Sequence, residues 1–147
     1  MSTTHIILLV VLLLGLQAAV WVAVFLRLKR QREALEQELS RTGETVLIGP
    51  QRGHYAGGTP PHSMVKSIGV IALTRSRLVF LRPLGPPIEV PVARIAEVGE
   101  GKWFRGHYRG GRAFLVLKLD DGSQVGFQVR EHHRWRRELA ALMPGAQ

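Results

Sequence analysis

The chain has 147 residues, with 20 Lys and Arg against 11 Asp and Glu, no cysteine and a formal charge of +9. This length accommodates one modest domain plus an appendage. Because cysteine is absent, disulfide scaffolds and thiolate metal sites are excluded.

An uncharged apolar segment, IILLVVLLLGLQAAVWVAVFL, occupies residues 6–26 and has the length of a membrane-spanning helix. A secretory signal carries its positive charge before the apolar run, whereas here the basic residues follow it. These juxtamembrane basic residues are Arg27, Lys29, Arg30 and Arg32. We therefore predict a transmembrane anchor over residues 1–27, in the cell membrane (plasma or inner), with the amino end outside and the remainder cytoplasmic.

Small residues recur every four positions within this segment, at Gly15, Ala19 and Ala23. They lie on one helix face, where a second helix can approach closely. Weak self-association through this face is one expectation. The alternative is chance spacing in an apolar segment.

Residues 28–43 form a basic juxtamembrane neck that is rich in helix formers and lacks Pro. Arg32 and Glu36 are four residues apart and can pair on a helix surface. Leu28, Leu35 and Leu39 form a narrow apolar face that Arg and Gln interrupt. This pattern favours a solvated helical spacer over a coiled coil, and it would hold the next domain about 20 Å from the bilayer.

From residue 44 onward the pattern changes to short β-type runs separated by turn residues. The runs are 44–49, 67–74, 77–82, 88–92, 94–99, 113–119 and 123–129. A long connection over residues 50–66 is expected, and Pro91 predicts an edge strand. The sequence Asp120, Asp121, Gly122 predicts a hairpin turn.

Two amphipathic patterns close the domain. In the last run, Val125, Phe127 and Val129 are expected in the core, with Gln124, Gly126 and Gln128 facing water. Residues 131–143 predict an amphipathic helix, and residues 144–147 a tail. The apolar stripe of this helix contains Trp135, Leu139 and Leu142.

The run GVIALTRSRLVF, residues 69–80, resembles the LT-x-x-RL-x-F hairpin of GRAM and bacterial PH-like domains. Residues 88–98, 115–129 and the helix around Trp135 follow in the order of that family. The resemblance implies a mainly β fold for residues 44–143, a PH-like (GRAM-like) barrel of about seven antiparallel strands closed by the C-terminal helix. It also implies an adaptor rather than an enzyme. The basic cluster of phosphoinositide-binding members is missing, since residues 50–66 offer only Arg52, His54 and Lys66.

A basic aromatic loop, GKWFRGHYRGGR, separates the fifth and sixth runs at residues 101–112. Its candidate membrane or ligand contacts are Lys102, Trp103, Phe104, Arg105, Tyr108, Arg109 and Arg112. These side chains suit an anionic leaflet, where arginine gives charge and aromatic rings insert at headgroup level. In the alternative interpretation the aromatic residues pack on the end of the barrel.

No catalytic motif is present, so we predict neither an enzyme nor a cofactor or metal site. His132 and His133 are adjacent, about 100° apart on a helix, and are not expected to share a metal by themselves. His54, His62 and His107 are interpreted as surface side chains. One RGG-like copy does not predict a nucleic-acid partner.

The sequence therefore predicts a membrane-anchored, non-catalytic adaptor. Its first hypothetical partner is an unidentified protein, bound along an exposed strand edge or beside the terminal helix. The alternative partner is anionic phospholipid, bound through residues 102–112.

Overall fold

A computed structural model describes residues 2–101, 103–104, 107–108 and 113–143, with only the backbone described at 103–104 and 107–108. A long N-terminal helix precedes a seven-stranded antiparallel sheet, a two-stranded hairpin and a short C-terminal helix. The helices are α1 (Thr3–Thr42) and α2 (His132–Leu142), with a 3₁₀ turn at Val92–Arg94. The strands are β1 (Val46–Gly58), β2 (Ser67–Thr74), β3 (Arg77–Leu81), β4 (Ile88–Pro91), β5 (Ile95–Gly101), β6 (Trp103–Phe104), β7 (His107–Tyr108), β8 (Phe114–Leu119) and β9 (Gln124–Gln128).

The predicted span and neck form one continuous helix, α1, of 40 residues. Its sequence contains no Pro and a single Gly, so nothing in it interrupts the backbone hydrogen bonding. At about 1.5 Å per residue the helix is about 60 Å long. It ends where Gly43 adopts a left-handed conformation (φ 70°) and donates its amide to the carbonyl of Ser40.

The sheet curls at β1, the strand that its two halves share. The strand order is β4-β3-β2-β1-β9-β8-β5. The first part of β1 pairs with β2, from Val46 opposite Thr74 to Tyr55 opposite Ser67, and its last part pairs with β9. Register shifts interrupt both ladders, and such bulges bend a strand and increase its twist. The two halves therefore enclose one core.

The expected connection over residues 50–66 is too long: β1 continues to Gly58, and only residues 59–66 connect it to β2. Gly49 and Gly57 in this strand have positive φ (83° and 102°), which the ordinary strand pattern does not include. A Cβ at Gly49 would lie 2.6 Å from the carbonyl oxygen of Ile71, so only glycine fits. Residues that resembled a loop in the sequence are thus the ones that bend the strand.

Helix α2 closes the core of the curled sheet, as its apolar stripe predicted. Trp135 and Leu139 are fully buried in the same cluster as the inward side chains of both sheet halves, and Leu142 packs against it. The rings of Tyr55 and Phe127 have centroids 5.4 Å apart within this core. The described chain is therefore mainly β with a terminal helix.

Helix α1 also packs on the sheet, which corrects the interpretation of the neck as a solvated spacer. Leu28, Leu35 and Leu39 are buried on the outer face of the sheet. Their partners on β2 and β3 are Val70, Ala72 and Val79. The reason is that β2 is apolar on both faces, so a second layer must cover the face that is turned away from the core.

The outward face of β9 also differs in part from expectation. Val125, Phe127 and Val129 lie in the core as predicted. Gln128, expected to face water, is only 5% exposed. Alternation along a strand assigns a residue to a face, but it does not reveal what covers that face.

Candidate functional site

A groove lies where α1 meets the outer face of the sheet at β1 and β2, and we call it the junction groove. Its volume is about 380 Å³. The apolar lining residues are Val22, Phe25, Leu26, Leu28 and Val70. The basic lining residues are Lys29, Arg32 and Arg52. A concave site with an apolar wall and a few charged groups is typical of small-ligand binding.

The helical lining residues form one stripe along α1. Val22 is followed at spacings of three or four residues by Phe25 and Leu26, and these by Lys29 and then Arg32, so the five residues share a helix face. The first three of these residues belong to the apolar segment, and the two basic residues follow it. One end of the groove is therefore apolar and the other end is basic.

Strand β1 supplies the third basic side chain, because its register places Arg52 opposite Val70 at the helix–sheet contact. The Arg52 guanidinium carbon lies 4.9 Å from the centroid of the Phe25 ring. This is a cation–π contact, and it holds a positive charge over the apolar end of the groove.

The cations of the junction groove are only weakly neutralised. Arg32 pairs with Glu36 (Nε–Oε1 3.6 Å), as predicted, but both side chains are at least half exposed. Within the part of the chain that the structure describes, Lys29 and Arg52 have no carboxylate partner. The groove therefore presents uncompensated positive charge.

No protein-family model matches this chain, and no curated protein is significantly similar to it.

The structure divides the predicted juxtamembrane basic residues into two pairs. All four are exposed, but Lys29 and Arg32 line the junction groove, whereas Arg27 and Arg30 do not. The sequence did not identify Arg52 as a partner of these residues. Arg52 is 20 or more positions away along the chain, and only the packing of α1 on β1 and β2 brings the residues together.

The basic aromatic loop contains a short antiparallel hairpin, β6–β7. Trp103 pairs with Tyr108, and Phe104 pairs with His107. The side chains of these residues lie outside the described part of the structure, as do Lys102, Arg105, Arg109 and Arg112. Contact of this loop with a membrane or ligand therefore stays a prediction.

The small residues of the apolar segment also stay a prediction. Gly15, Ala19 and Ala23 are exposed on α1, and a Cβ added at Gly15 would meet no described atom within 4 Å beyond the adjoining backbone of α1 itself. The face is open to a neighbouring helix.

A second cluster joins β5 to the start of α2. Glu100 Oε2 lies 3.7 Å from His132 Nε2, and Glu100 Oε1 lies 3.4 Å from His133 Nδ1. The two histidines are not expected to share a metal by themselves, but Glu100 joins them here, and one ligand atom from each of the three residues lies within 4.8 Å of the others. These are ligand types that Zn²⁺ accepts.

The charge at this cluster favours a structural role over a metal site. Arg136 Nη1 lies 3.9 Å from Glu100 Oε1, so the carboxylate already faces a cation. Glu100 also sits at the N-terminus of α2, where negative charge is favourable. We interpret the cluster as a link between α2 and β5.

The other histidines are not simply surface side chains. His62 is half-buried, and its Nε2 lies 3.0 Å from the hydroxyl of Ser123. His54 lies within β1, and His107 lies in β7 with its side chain outside the described part. Asp121 accepts hydrogen bonds from the amide and hydroxyl of Ser123, as expected for a turn residue.

Two polar contacts hold α1 in position beside the groove. Gln31 Nε2 donates to the carbonyl of Arg82 at 2.6 Å. Arg77 on β3 donates two hydrogen bonds to Glu44 and one to Glu89, and its Nη2 lies 3.9 Å from Glu38 of α1. The Arg77 guanidinium holds the pKa of the Glu44 carboxyl below its ordinary value. The end of α1, the start of β1 and the β3–β4 hairpin are therefore linked by charge.

Proposed function

We propose that the protein is a single-pass membrane protein whose PH-like (GRAM-like) domain is a non-catalytic, protein-binding adaptor. The domain lies at the cytoplasmic face of the cell membrane. The observation that supports this proposal best is the packing of α1 on β2 and β3, since the same helix carries the apolar segment and would hold the domain close to the bilayer.

Membrane insertion is supported by the apolar part of α1. Its mean hydropathy over an 18-residue window is 2.7, and none of that window is buried by the rest of the described chain. An uncovered apolar surface of this length is costly in water and favourable in a bilayer core. The basic residues that follow the apolar segment favour a cytoplasmic position for the domain.

The PH-like assignment is supported by the shape of the sheet. Seven antiparallel strands curl around one core, and a terminal helix buries Trp135 and Leu139 in it. The β2–β3 hairpin, which carries the family-like residues 69–80, forms as expected and pairs Val70 with Leu81.

The exposed edge of β5 is the proposed protein-binding surface. β5 ends the sheet order, four positions from the α1-covered strand β2, so α1 leaves it accessible. Helix α2 packs nearby. An extended segment of a partner can add to such an edge through backbone hydrogen bonds and place its side chains beside α2.

The topology can be tested with single cysteines, because the chain contains none. We would label Ser2→Cys and Ala96→Cys variants with a membrane-impermeant maleimide on intact and on permeabilised cells. Ser2→Cys should react on intact cells, and Ala96→Cys only after permeabilisation. The reverse pattern would overturn the orientation.

The partner site can be tested with a photo-crosslinking amino acid. It would be placed at Glu97, which is exposed on β5, and in the control at Leu84, which is 81% exposed between β3 and β4. A discrete adduct at Glu97 that is absent at Leu84 is the expected result. Identical adducts at both positions, or none at Glu97, would contradict an adaptor that uses this edge.

Anionic phospholipid contact through residues 102–112 is the second candidate function, because the β6–β7 hairpin pairs Trp103 with Tyr108 in a loop that also carries four basic residues. Fluorescence of Trp103 would be measured in a Trp21→Phe, Trp135→Phe background. Quenching by brominated anionic lipid, but not by brominated neutral lipid, is expected. Equal quenching would count against this candidate.

A further inference from the structure

We propose that the junction groove binds one anionic phospholipid of the cytoplasmic leaflet. Its phosphate lies among Lys29, Arg32 and Arg52, and the start of an acyl chain lies on Val22, Phe25 and Leu26. The proposal rests on the proposed function in one respect, namely that α1 spans the membrane. It concerns a different surface from the basic aromatic loop.

The depth of the groove fits a lipid headgroup. The groove extends along α1 from Val22 to Arg32, and the apolar segment ends at Leu26 between them. At 1.5 Å per residue this stretch covers about 15 Å along the helix axis. The headgroup layer of one leaflet is about 5–8 Å thick. The groove therefore crosses the boundary between acyl chains and headgroups.

The charge of the groove selects an anion. Lys29 and Arg52 have no carboxylate partner among the described residues, and the exposed pair of Arg32 with Glu36 is easily exchanged. Arginine binds phosphate oxygens through parallel N–H groups, and lysine adds a third donor. A zwitterionic lipid would bring its own cation towards these three side chains, so a lipid with net negative charge is favoured.

The walls of the groove favour a lipid over free phosphate. Its volume of about 380 Å³ accommodates a headgroup with the first part of a chain, and the floor is formed by Leu28 and Val70. Arg52 lies over the Phe25 ring, so the phosphate site and the apolar wall are contiguous.

A bound lipid would also connect the two parts of the protein. Lys29 and Arg32 belong to α1, whereas Arg52 belongs to β1. A ligand that bridges them binds only when the domain is docked on the helix, and it therefore stabilises docking.

The test uses the full chain in a neutral detergent, titrated with phosphatidylglycerol or with phosphatidylcholine of the same acyl chains. Retention of each lipid would be measured by native mass spectrometry. The groove variant is Lys29→Gln with Arg52→Gln. The matched control is Arg27→Gln with Arg30→Gln, which removes the same charge from exposed positions outside the groove.

The native chain should prefer phosphatidylglycerol, and the groove variant should lose roughly tenfold or more of that affinity because two cations near the phosphate are missing. The control variant should change less than about threefold. An equal loss in both variants would reduce the effect to general charge and overturn the site. Equal binding of the two lipids by the native chain would overturn it as well.

Two further experiments distinguish a bound lipid from free phosphate and locate the lipid on the chain. Inorganic phosphate alone should not displace the lipid, and displacement would make free phosphate the ligand and overturn the proposal. A photoactivatable phosphatidylglycerol in native membranes should crosslink to residues 22–32 or to the segment around Arg52, and crosslinks confined to other segments would contradict it. Cysteine labelling at Ser2 and Ala96 reports membrane topology separately, so failure of the span and failure of the groove are distinguishable.

Discussion

Arg77 on β3 donates two hydrogen bonds to the carboxylate of Glu44, from Nε at 3.2 Å and from Nη2 at 2.9 Å. Glu44 lies directly between the end of α1 and the start of β1. Such a bidentate pair restricts both side chains more than a single contact does. The contact therefore holds the segment in which the chain turns from helix into sheet against β3.

The first prediction concerns acid stability. Since Arg77 lowers the pKa of Glu44 from its ordinary value of 4.5, the pair stabilises the fold above that pH, and this contribution is lost as pH falls through the lower folded-state pKa. Glu44→Gln should reduce the free energy of unfolding near neutral pH and flatten its dependence on pH below about 4.5. Urea denaturation of the full chain in detergent across this range measures both.

Glu97→Gln serves as the control for this prediction. Glu97 pairs with Lys118 at 3.8 Å, and the two side chains are 69% and 50% exposed. The substitution should therefore have little effect on the free energy of unfolding. A Glu44→Gln variant with the native pH dependence would show that the Arg77 contact does not stabilise the fold.

The second prediction concerns docking of α1. Leu35 is 1% exposed between α1 and the outer face of β2 and β3. Leu35→Ala should destabilise this packing by about 2–5 kcal/mol, as for other buried leucines. Trypsin should then cut faster after Arg30 and Arg32, where the helix must open locally to be cleaved.

Leu84→Ala is the control, because Leu84 is 81% exposed and outside this contact. Equal trypsin rates for native, Leu35→Ala and Leu84→Ala chains would indicate that the neck is the solvated spacer that its sequence predicts.

Local sequence patterns were sufficient to predict those elements whose apolar residues alone define the buried face. β2 was predicted at residues 67–74 and is Ser67–Thr74, and α2 was predicted from the stripe that buries Trp135 and Leu139. The junction groove could not be predicted in this way. It depends on Arg52 meeting Lys29 and Phe25 across a tertiary contact, and no local period encodes that contact.

The course of β1 was missed for a related reason. In the sequence, glycine interrupts a regular strand pattern and suggests a loop. In the structure, the glycines of β1 allow the strand to bend, because β1 pairs with β2 in one half of the sheet and with β9 in the other. In the same way, the leucines of the neck have the spacing of an incomplete coiled coil. Their actual partners are on β2 and β3, which are distant in the sequence, so the local pattern could not identify them.

The third prediction separates two effects of replacing glycine by alanine, namely backbone strain at positive φ and a steric clash of the new Cβ. Gly49 and Gly122 have nearly equal positive φ (83° and 84°), but a Cβ would clash with the Ile71 carbonyl only at Gly49. Gly122→Ala should cost about 1 kcal/mol from backbone strain alone. Gly49→Ala should cost clearly more, since β1 and β2 must separate.

Thermal unfolding of both variants beside the native chain measures this difference. Equal losses would mean that the bulge at Gly49 relaxes freely and does not fix the bend of β1.

The fourth prediction concerns the buried amide of Gln128. Gln128 is 5% exposed, and within the described residues neither its Nε2 nor its Oε1 has a hydrogen-bond partner. A buried polar group without a partner costs about 1–3 kcal/mol in desolvation. Gln128→Met keeps the length of the side chain and removes the amide, so it should raise the free energy of unfolding by about 1–2 kcal/mol.

Gln124→Met on the same strand is the matched control, because Gln124 is only half-buried and its amide can reach water. It should change the free energy of unfolding by less than about 0.5 kcal/mol. If Gln128→Met instead destabilises the chain, the amide contributes to the fold through its polar atoms. In that case the outward face of β9 would be a polar contact surface rather than a covered apolar one.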